Sequence, residues 1–326
     1  MLELPTLPHR VPEPGYCGRF APTPSGALHL GSLSTALAGF LQAKARHGRW
    51  RLRIDDLDPQ RTVPGAADRI LRTLERLGLH WDGPVLWQSR RTAYYQAALE
   101  RLRAAGWLYP CTCSRRELAS RPKAGSSTAA YPGICRNRAA VAPGLPQAWR
   151  IVTDGARIAF GDGLQGWVEQ DLEREVGDFI VYRRDAVHAY HLATVVDDAE
   201  QGVTEVLRGV DLLDSTPRQI FLQQRLALPD KTYVHVPILV DLRGRKLSKQ
   251  NLAPEAAVER PGQVLMRLLN WLGQRPPLEL FAASPQEILN WAIANWDLER
   301  LRGIERIPVD PSPDLLRARG AAGTAP

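Results

Sequence analysis

No apolar run in this 326-residue chain approaches the roughly 20 residues that a bilayer-spanning helix needs. The N-terminal MLELPTLPHRVPEPGY has neither the apolar stretch nor the small-residue cleavage site of a secretory leader. The expectation is a soluble cytoplasmic protein without membrane contact. Cysteine is scarce too: four residues do not staple a chain of this size, which excludes a disulfide framework. No internal repeat is present, which excludes solenoids and propellers. Acid is nearly missing from one long segment. Between Arg101 and Arg138, the side chains of Arg101, Arg103, Arg115, Arg116, Arg121, Lys123, Arg136 and Arg138 are set against the single acid Glu117. The formal charge of +7 is unremarkable for an arginine-rich chain, but a local excess of this kind suits a phosphate-bearing partner.

What is present suffices for a real core: 44% of the residues are hydrophobic, and the length allows two domains or one with an insertion. Tyr16 to Phe20 reads as a strand, followed by a proline- and glycine-rich loop. In GSLSTALAGFLQAKARHG, Leu33, Leu37, Phe40 and Leu41 share one helical face. WRLRI then alternates Trp50, Leu52 and Ile54 with Arg51 and Arg53, as a strand does. Strand, loop, helix, strand is a βαβ unit and implies an α/β fold with a parallel sheet. Helices are expected at 65–77 and 91–105, and prolines, glycines and serines from Ser120 to Pro146 mark an inserted module. DFIVYRRD and GVTEVLRG read as strands and STPRQIFLQQRLAL as a helix capped by Ser215 or Thr216, with Pro217 in its first turn. Beyond Lys246, VLMRLLNWLG and PQEILNWAIANW are amphipathic helices, and 316–326 is an Ala, Gly and Pro tail expected to be disordered.

Five short stretches carry chemistry. APTPSGALHLGS (Ala21–Ser32) falls where a parallel sheet binds ligands, beyond a strand's carboxyl end and at a helix N-terminus; His29 there is either a phosphate donor or a surface residue. Asp55, Asp56 and Asp58 follow the second strand as either an ammonium site or a turn cluster. DLRGRKLSKQN sets Arg243, Arg245, Lys246 and Lys249 around a glycine, either to neutralise a polyphosphate or as a solvated turn. HAYHLATVVDD and EVLRGVD place Tyr190 and Arg208 at expected strand ends, where a phenol and a guanidinium suit a small carboxylate. Finally, Cys111, Cys113, Tyr131 and Cys135 form C-x-C-x17-Y-x3-C, which is either a metal site with a tyrosine oxygen or three reduced structural thiols. Cys17, inside a core strand, reads as a small buried hydrophobe.

RFAPTPSGALHLGS, RIDDLDP, DFIVYRRD, YHLATVVDD, GVTEVLRGVDLLDSTPRQ and KLSKQ stand in the order and approximate spacing of the glutamyl-tRNA synthetase catalytic core. HLGS resembles the HIGH signature and KLSKQ the KMSKS signature of class I synthetases. The resemblance covers about residues 16 to 250. A chain lacking a further anticodon-binding domain of about 150 residues, with this cysteine knuckle, resembles the glutamyl-Q tRNA(Asp) synthetases.

That resemblance implies a Rossmann-like class I catalytic domain in two halves, 1–105 and 176–240, with a zinc-containing, tRNA-contacting module at 106–175 and a helical part at 241–315. It implies activation of L-glutamate with ATP and transfer of glutamate to queuosine in the anticodon loop of tRNA(Asp), by a monomer. Arg19, Phe20, Ala21, Pro22 and Thr23 would line the glutamate site, with Arg19, Arg208 and Tyr190 at the side-chain carboxylate and Asp55 at the ammonium. The family's RIED is RIDD here, so Asp55 is one methylene shorter and would reach the ammonium through a water. His29 would serve the α-phosphate, with Gly31, Ser32 and Ser248 also at ATP, and Lys246 and Lys249 would take the pyrophosphate with Mg²⁺. Ser32 replaces the second histidine of HIGH and Gln250 the last serine of KMSKS, which leaves His29 without its usual partner. Cys111, Cys113, Tyr131 and Cys135 would hold one structural Zn²⁺. The alternatives are a truncated glutamyl-tRNA synthetase charging tRNA(Glu) and a non-catalytic zinc-containing RNA-binding module.

Overall fold

The computed structural model describes residues 5–7, 15–119, 130–137, 146–247 and 260–310. Its first crossover runs from strand β1 (Cys17–Phe20) through helix α1 (Leu30–Ala45) to strand β2 (Arg49–Ile54). β1 and β2 pair in parallel, with Cys17 opposite Arg49 and Phe20 opposite Leu52. The α1 face carrying Leu33, Leu37, Phe40 and Leu41 is buried in one core with Trp50, Leu52 and Ile54. Trp50 is fully buried, stacked 6.2 Å from Phe20 and edge-on 5.4 Å from Phe40. The turn between α1 and β2 requires Gly48, because a Cβ there would meet the Tyr16 carbonyl oxygen at 2.5 Å.

Helix α2 (Ala66–Arg76) leads to β3 (Leu86–Trp87), which pairs in parallel with the other edge of β2. Helix α3 (Thr92–Ala104), β4 (Leu108–Cys111), the short α4 (Arg115–Ala119) and β5 (Ala148–Ile151) follow. A hairpin, β6 (Arg157–Asp162) and β7 (Gly166–Asp171), precedes the short α5 (Leu172–Glu175) and β8 (Phe179–Tyr182). After helix α6 (Tyr190–Glu200), β9 (Glu205–Gly209) and β10 (Thr232–Val236) pair in parallel around helix α7 (Thr216–Arg225). The second sheet has the order β7-β6-β10-β9. It meets the first where β9 lies against β1: the Thr204 N–H donates to the Cys17 carbonyl at 2.9 Å. The α/β class with a parallel sheet, expected from the first βαβ unit, is thus the observed one.

Two differences from the sequence reading bear on the site. Tyr190 does not end a strand; it opens α6, whose buried face carries Leu192, Val195 and Val196. The strand pairing also runs across residue 175, since β8 pairs antiparallel with β5 while β6 pairs in parallel with β10. Register of this kind depends on partners distant in sequence and leaves no local periodicity to read. α7 begins as expected, with Ser215 as its cap residue and Pro217 in its first turn.

The C-terminal elements are β11 (Ile238–Val240), α8 (Pro261–Trp271), α9 (Pro285–Ala294) and β12 (Arg306–Pro308), with β11 and β12 paired in parallel. Leu265, Leu268, Leu269, Ile288 and Leu289 of α8 and α9 belong to the same core as α1, so this helical part buttresses the first crossover. α9 starts on a full capping box, Ser284 with Glu287. Near the N-terminus, Leu7 is buried in a second core with Tyr95, Leu99 and Leu192, which gives the proline-rich extension one anchoring point. No helix among the described residues is long and apolar enough to cross a membrane.

That second core holds a titratable weak point. His188 is buried between the rings of Tyr95 and Tyr182, 5.6 and 5.0 Å away, and burial lowers its pKa from 6.5 to about 4. Between these values the unfolded chain binds a proton that the folded chain refuses, so stability rises with pH across the window and is lost on acidification. The loss approaches about 1.4 kcal/mol per pH unit below 6.5, or about 2 kcal/mol by pH 5. Urea midpoints at pH 7 and pH 5 should therefore differ less in His188→Phe than in the parent. Equal shifts in the two proteins would show that His188 does not carry this dependence.

Candidate active site

The loop after β1 and the first turn of α1 form one wall of a cavity of about 450 Å³. Arg19 through Thr23, His29, Gly31 and Ser32 line it, and Tyr190, Arg208 and Lys246 face them from three other parts of the chain. Positions 19, 29, 190, 208 and 246, scattered in sequence, are thus brought to one space. Ser248 and Lys249 lie outside the described residues.

His29 is the cap residue of α1, and its Nδ1 accepts from the Ser32 N–H at 3.2 Å. The Ser32 hydroxyl sits 3.0 Å from Nε2. Ser32, standing where the usual partner histidine would be, thus holds the ring through both its backbone and its side chain. Gly31 is a close approach, because a Cβ there would lie 3.1 Å from the His29 ring and 3.1 Å from the Leu247 carbonyl oxygen, so either would have to give by a few tenths of an ångström. The start of α1 and the basic loop touch at this point. The helix N-terminus presents free N–H groups and the positive end of its dipole to the cavity, as an anion site needs.

The basic loop is shaped by its own aspartate. Asp241 accepts from the backbone N–H groups of Arg243 and Arg245, both at 2.9 Å, and pairs with the Arg245 guanidinium at 2.8 Å. Its backbone N–H closes the turn onto the Arg245 carbonyl, and Lys246 then bridges back to Val240. The Lys246 ammonium meets the Asp211 carboxylate at 2.6 Å on the cavity wall.

The two arginines are set differently. Arg19 pairs with Asp198 at 3.2 Å and donates to the Leu207 carbonyl at 3.1 Å. Arg208, equally buried, donates to three neutral groups: His235 Nε2 at 3.1 Å, Gln219 Oε1 at 2.7 Å and Thr216 Oγ1 at 2.8 Å. It makes no ion pair among the described residues. Burial pulls its pKa below the ordinary arginine value, yet a guanidinium stays charged. A buried cation without a counter-ion on the wall of an open cavity is a place for an anion.

Asp55 stands beside this wall, its backbone N–H donating to the carbonyl of Pro22, a lining residue, at 3.0 Å. Residues 53 and 55 fall on the same side of the extended chain, and the Arg53 Nε–H donates to Asp55 at 2.7 Å. Burial raises the Asp55 carboxyl and Arg53 opposes it, leaving the pKa at about 6. Arg53, which borders the cavity, also pairs with Asp198 at 2.6 Å. Burial pushes Asp198 up, but Arg19 and Arg53 hold it well below the carboxylate range. Just after β2, Asp55 thus forms a buried ion pair with Arg53.

Away from the cavity, the Sγ atoms of Cys111, Cys113 and Cys135 lie within 4.8 Å of one another. The Tyr131 hydroxyl is 3.5 Å from Cys111 and 3.6 Å from Cys113, and Cys113 and Cys135 are 3.4 Å apart. Tetrahedral zinc with Zn–S bonds near 2.3 Å needs sulfur edges of about 3.8 Å, so three thiolates and one phenol oxygen fit it, with no position left open. Burial opposes ionisation of Cys135, but bonds from Tyr131, the Thr112 backbone and the neighbouring thiols outweigh it and lower the pKa to about 7. Arg150, also buried, places Nε 3.3 Å from Cys111 Sγ and its guanidinium 3.7 Å over the Tyr131 ring, offsetting the negative charge of such a donor set. Arg136 of the basic segment is part-buried and pairs with buried Asp178 at 2.5 Å and with exposed Asp154 at 3.2 Å. Cys17 is fully buried, as a small hydrophobe.

Residues 17–277 match the catalytic domain of class I tRNA synthetases (E and Q). The glutamyl-Q tRNA(Asp) synthetase of Aromatoleum aromaticum is 53% identical over 290 residues, covering 87% of this chain and 90% of that one. That of Methylococcus capsulatus is 54% identical over 300 residues, covering 92% and 97%. The chain belongs to the glutamyl-Q tRNA(Asp) synthetase family. It shares its fold with a glutamate tRNA ligase from Elizabethkingia meningosepticum whose crystal structure was determined in complex with its amino acid. That likeness has 23% identity and a TM-score of 0.73, and covers 91% of this chain and 68% of the other.

In this glutamyl-Q tRNA(Asp) synthetase family member, reading the sequence left out Asp198, Asp211, Asp162 and His235. Asp197 and Asp198 did carry a signal, as two acids on the apolar face of α6. Asp162 and His235 carried none, being 73 residues apart on neighbouring strands.

Proposed function

We propose that this chain activates L-glutamate with ATP, independently of tRNA, and transfers the glutamyl group to queuosine at the wobble position of tRNA(Asp). The observation that carries the reading is the buried guanidinium of Arg208, without an ion pair among the described residues, on the wall shared with His29 and Lys246. Glutamate carries two carboxylates, and Arg208, with Arg19 and Tyr190 beside it, suits the side-chain one. The α-carboxylate then attacks the α-phosphorus and pyrophosphate leaves, giving the mixed anhydride. His29 and the α1 N-terminus receive the developing charge at the α-phosphate. Lys246 and Lys249, with Ser248, take the leaving pyrophosphate together with the Mg²⁺ that arrives with ATP, and Lys246 exchanges Asp211 for phosphate oxygens. A ring hydroxyl of queuosine next attacks the anhydride carbonyl and AMP departs. No covalent enzyme intermediate is required; positioning and electrostatics supply the acceleration.

Cys111, Cys113, Tyr131 and Cys135 would hold a structural Zn²⁺ that braces the inserted module against tRNA. The names and high identity of the relatives support the choice of acceptor.

The test offers purified protein glutamate, ATP and Mg²⁺ with tRNA(Asp) containing or lacking queuosine, and with tRNA(Glu). Glutamate should appear only on queuosine-containing tRNA(Asp), and pyrophosphate exchange should proceed without any tRNA. Charging of tRNA(Glu), or equal transfer to queuosine-free tRNA(Asp), would refute the assignment.

A further inference from the structure

Arg208 is the least self-sufficient part of the cavity, and what holds it reaches outside the cavity lining. Its Nε–H donates to His235 Nε2 at 3.1 Å, so that nitrogen must keep its lone pair and the imidazole proton must sit on Nδ1. Nδ1 lies 2.6 Å from Asp162 Oδ2. His235 and the Asp162 side chain are both fully buried, so water cannot substitute for either. The other carboxylate oxygen, Oδ1, is engaged by the N–H groups of Leu164 at 3.1 Å, Gln165 at 2.9 Å and His235 at 3.2 Å. The carboxylate is therefore fixed edgewise, with one oxygen for the backbone and one for the ring. Thr216 Oγ1, 3.2 Å from Nε2, completes the surroundings of the same lone pair.

We propose that Asp162 and His235 are positioning residues for the substrate carboxylate: by fixing the Nδ1–H tautomer they keep an acceptor opposite Arg208 Nε. With Nε, one Nη1–H and one Nη2–H committed to His235, Gln219 and Thr216, the guanidinium retains one N–H on each terminal nitrogen. Two such N–H groups side by side form the fork that binds both oxygens of a carboxylate. The proposal rests on the glutamate reading above and adds the elements that aim the fork.

Asp162→Asn gives a sharp consequence. The three backbone donors require the amide oxygen at the Oδ1 position, which puts the NH₂ against Nδ1. The ring then carries its proton on Nε2, facing the Arg208 Nε–H donor to donor. By contrast, His235→Gln keeps an amide oxygen for Arg208 and an NH₂ for Asp162 at about the spacing of the ring nitrogens, whereas His235→Leu removes both.

In glutamate-dependent pyrophosphate exchange, Asp162→Asn and His235→Leu should raise the glutamate KM about 10- to 100-fold, with the KM for ATP within about twofold. His235→Gln should stay within about fivefold of the parent. In ¹⁵N-histidine spectra, one ring of the parent should be protonated at Nδ1 only, and that signature should switch to Nε2 in Asp162→Asn. Unchanged glutamate KM in Asp162→Asn, equal effects of His235→Gln and His235→Leu, or an Nε2–H tautomer in the parent would each overturn the proposal. If Asp162→Asn does not fold, the two His235 variants and the parent spectrum decide alone. Absence of glutamate-dependent exchange in the parent would instead sink the glutamate reading, with the tautomer still testing the hydrogen-bond chain.

Discussion

Arg208→Met is expected to lower kcat/KM for glutamate about thirty- to several-thousandfold while the protein stays folded. Two magnitudes combine here. Removing the protein half of a buried, hydrogen-bonded charge pair costs about 2–5 kcal/mol of binding, and each 1.4 kcal/mol is tenfold. In the free protein, however, Arg208 has no anionic partner to lose among the described residues, only His235, Gln219 and Thr216. An unbranched apolar side chain of similar length relieves a desolvated charge there and leaves neutral groups underused, effects of opposite sign. Thermal melts should therefore move by a few degrees at most, and exchange kinetics should show the loss in glutamate KM rather than ATP KM. A melting temperature that collapses together with activity, or equal losses for both substrates, would show that Arg208 only supports the fold. Arg208→Lys should recover little, because a point charge lacks the fork held by three acceptors.

Cys135→Ser is expected to remove the metal and to separate the two half-reactions. Three thiolates and a phenol oxygen fit tetrahedral zinc, and loss of one thiolate should weaken retention by more than about a hundredfold, beyond what outer-sphere changes cost. The cluster is not part of the cavity lined by His29, Arg208 and Lys246, so tRNA-independent exchange should persist. Transfer to tRNA should be lost, because Tyr131, bridged to Gly177 and hydrogen-bonded to the Cys135 N–H, ties the module to the chain leading into β8. Elemental analysis should find about one zinc per parent chain and essentially none in the variant. Full zinc content in the variant, or exchange falling as far as transfer, would contradict this division of labour.

Much of this was legible in the sequence because it is local. The α1 stripe of Leu33, Leu37, Phe40 and Leu41, the alternation of Trp50, Leu52 and Ile54, and Pro217 at the head of α7 each rest on geometry that spans a few residues. The C-x-C and Y-x3-C pairs are local as well, which is why the cysteine cluster and its tyrosine stood out as a candidate before any fold was known. Tyr190 was misplaced at a strand end because a short apolar run bounded by polar residues looks alike in strand and helix. The β6–β7 hairpin escaped notice because its pattern makes sense only beside β10.

By itself, then, the sequence determined the first βαβ unit, the helices α1, α2, α3, α7, α8 and α9, the candidate metal cluster and the identities of the cavity's arginines, histidine and lysine. Tertiary structure alone decided how those groups are charged and aimed. Asp198 reaches Arg19 from 179 residues away and Arg53 from 145. Asp211 meets Lys246 across 35 residues, and Asp162 meets His235 across 73. Local periodicity follows from backbone dihedrals that each residue carries with it. The state of a buried charge depends on which groups the strand order β7-β6-β10-β9 and the contact of β9 with β1 bring within 3 or 4 Å.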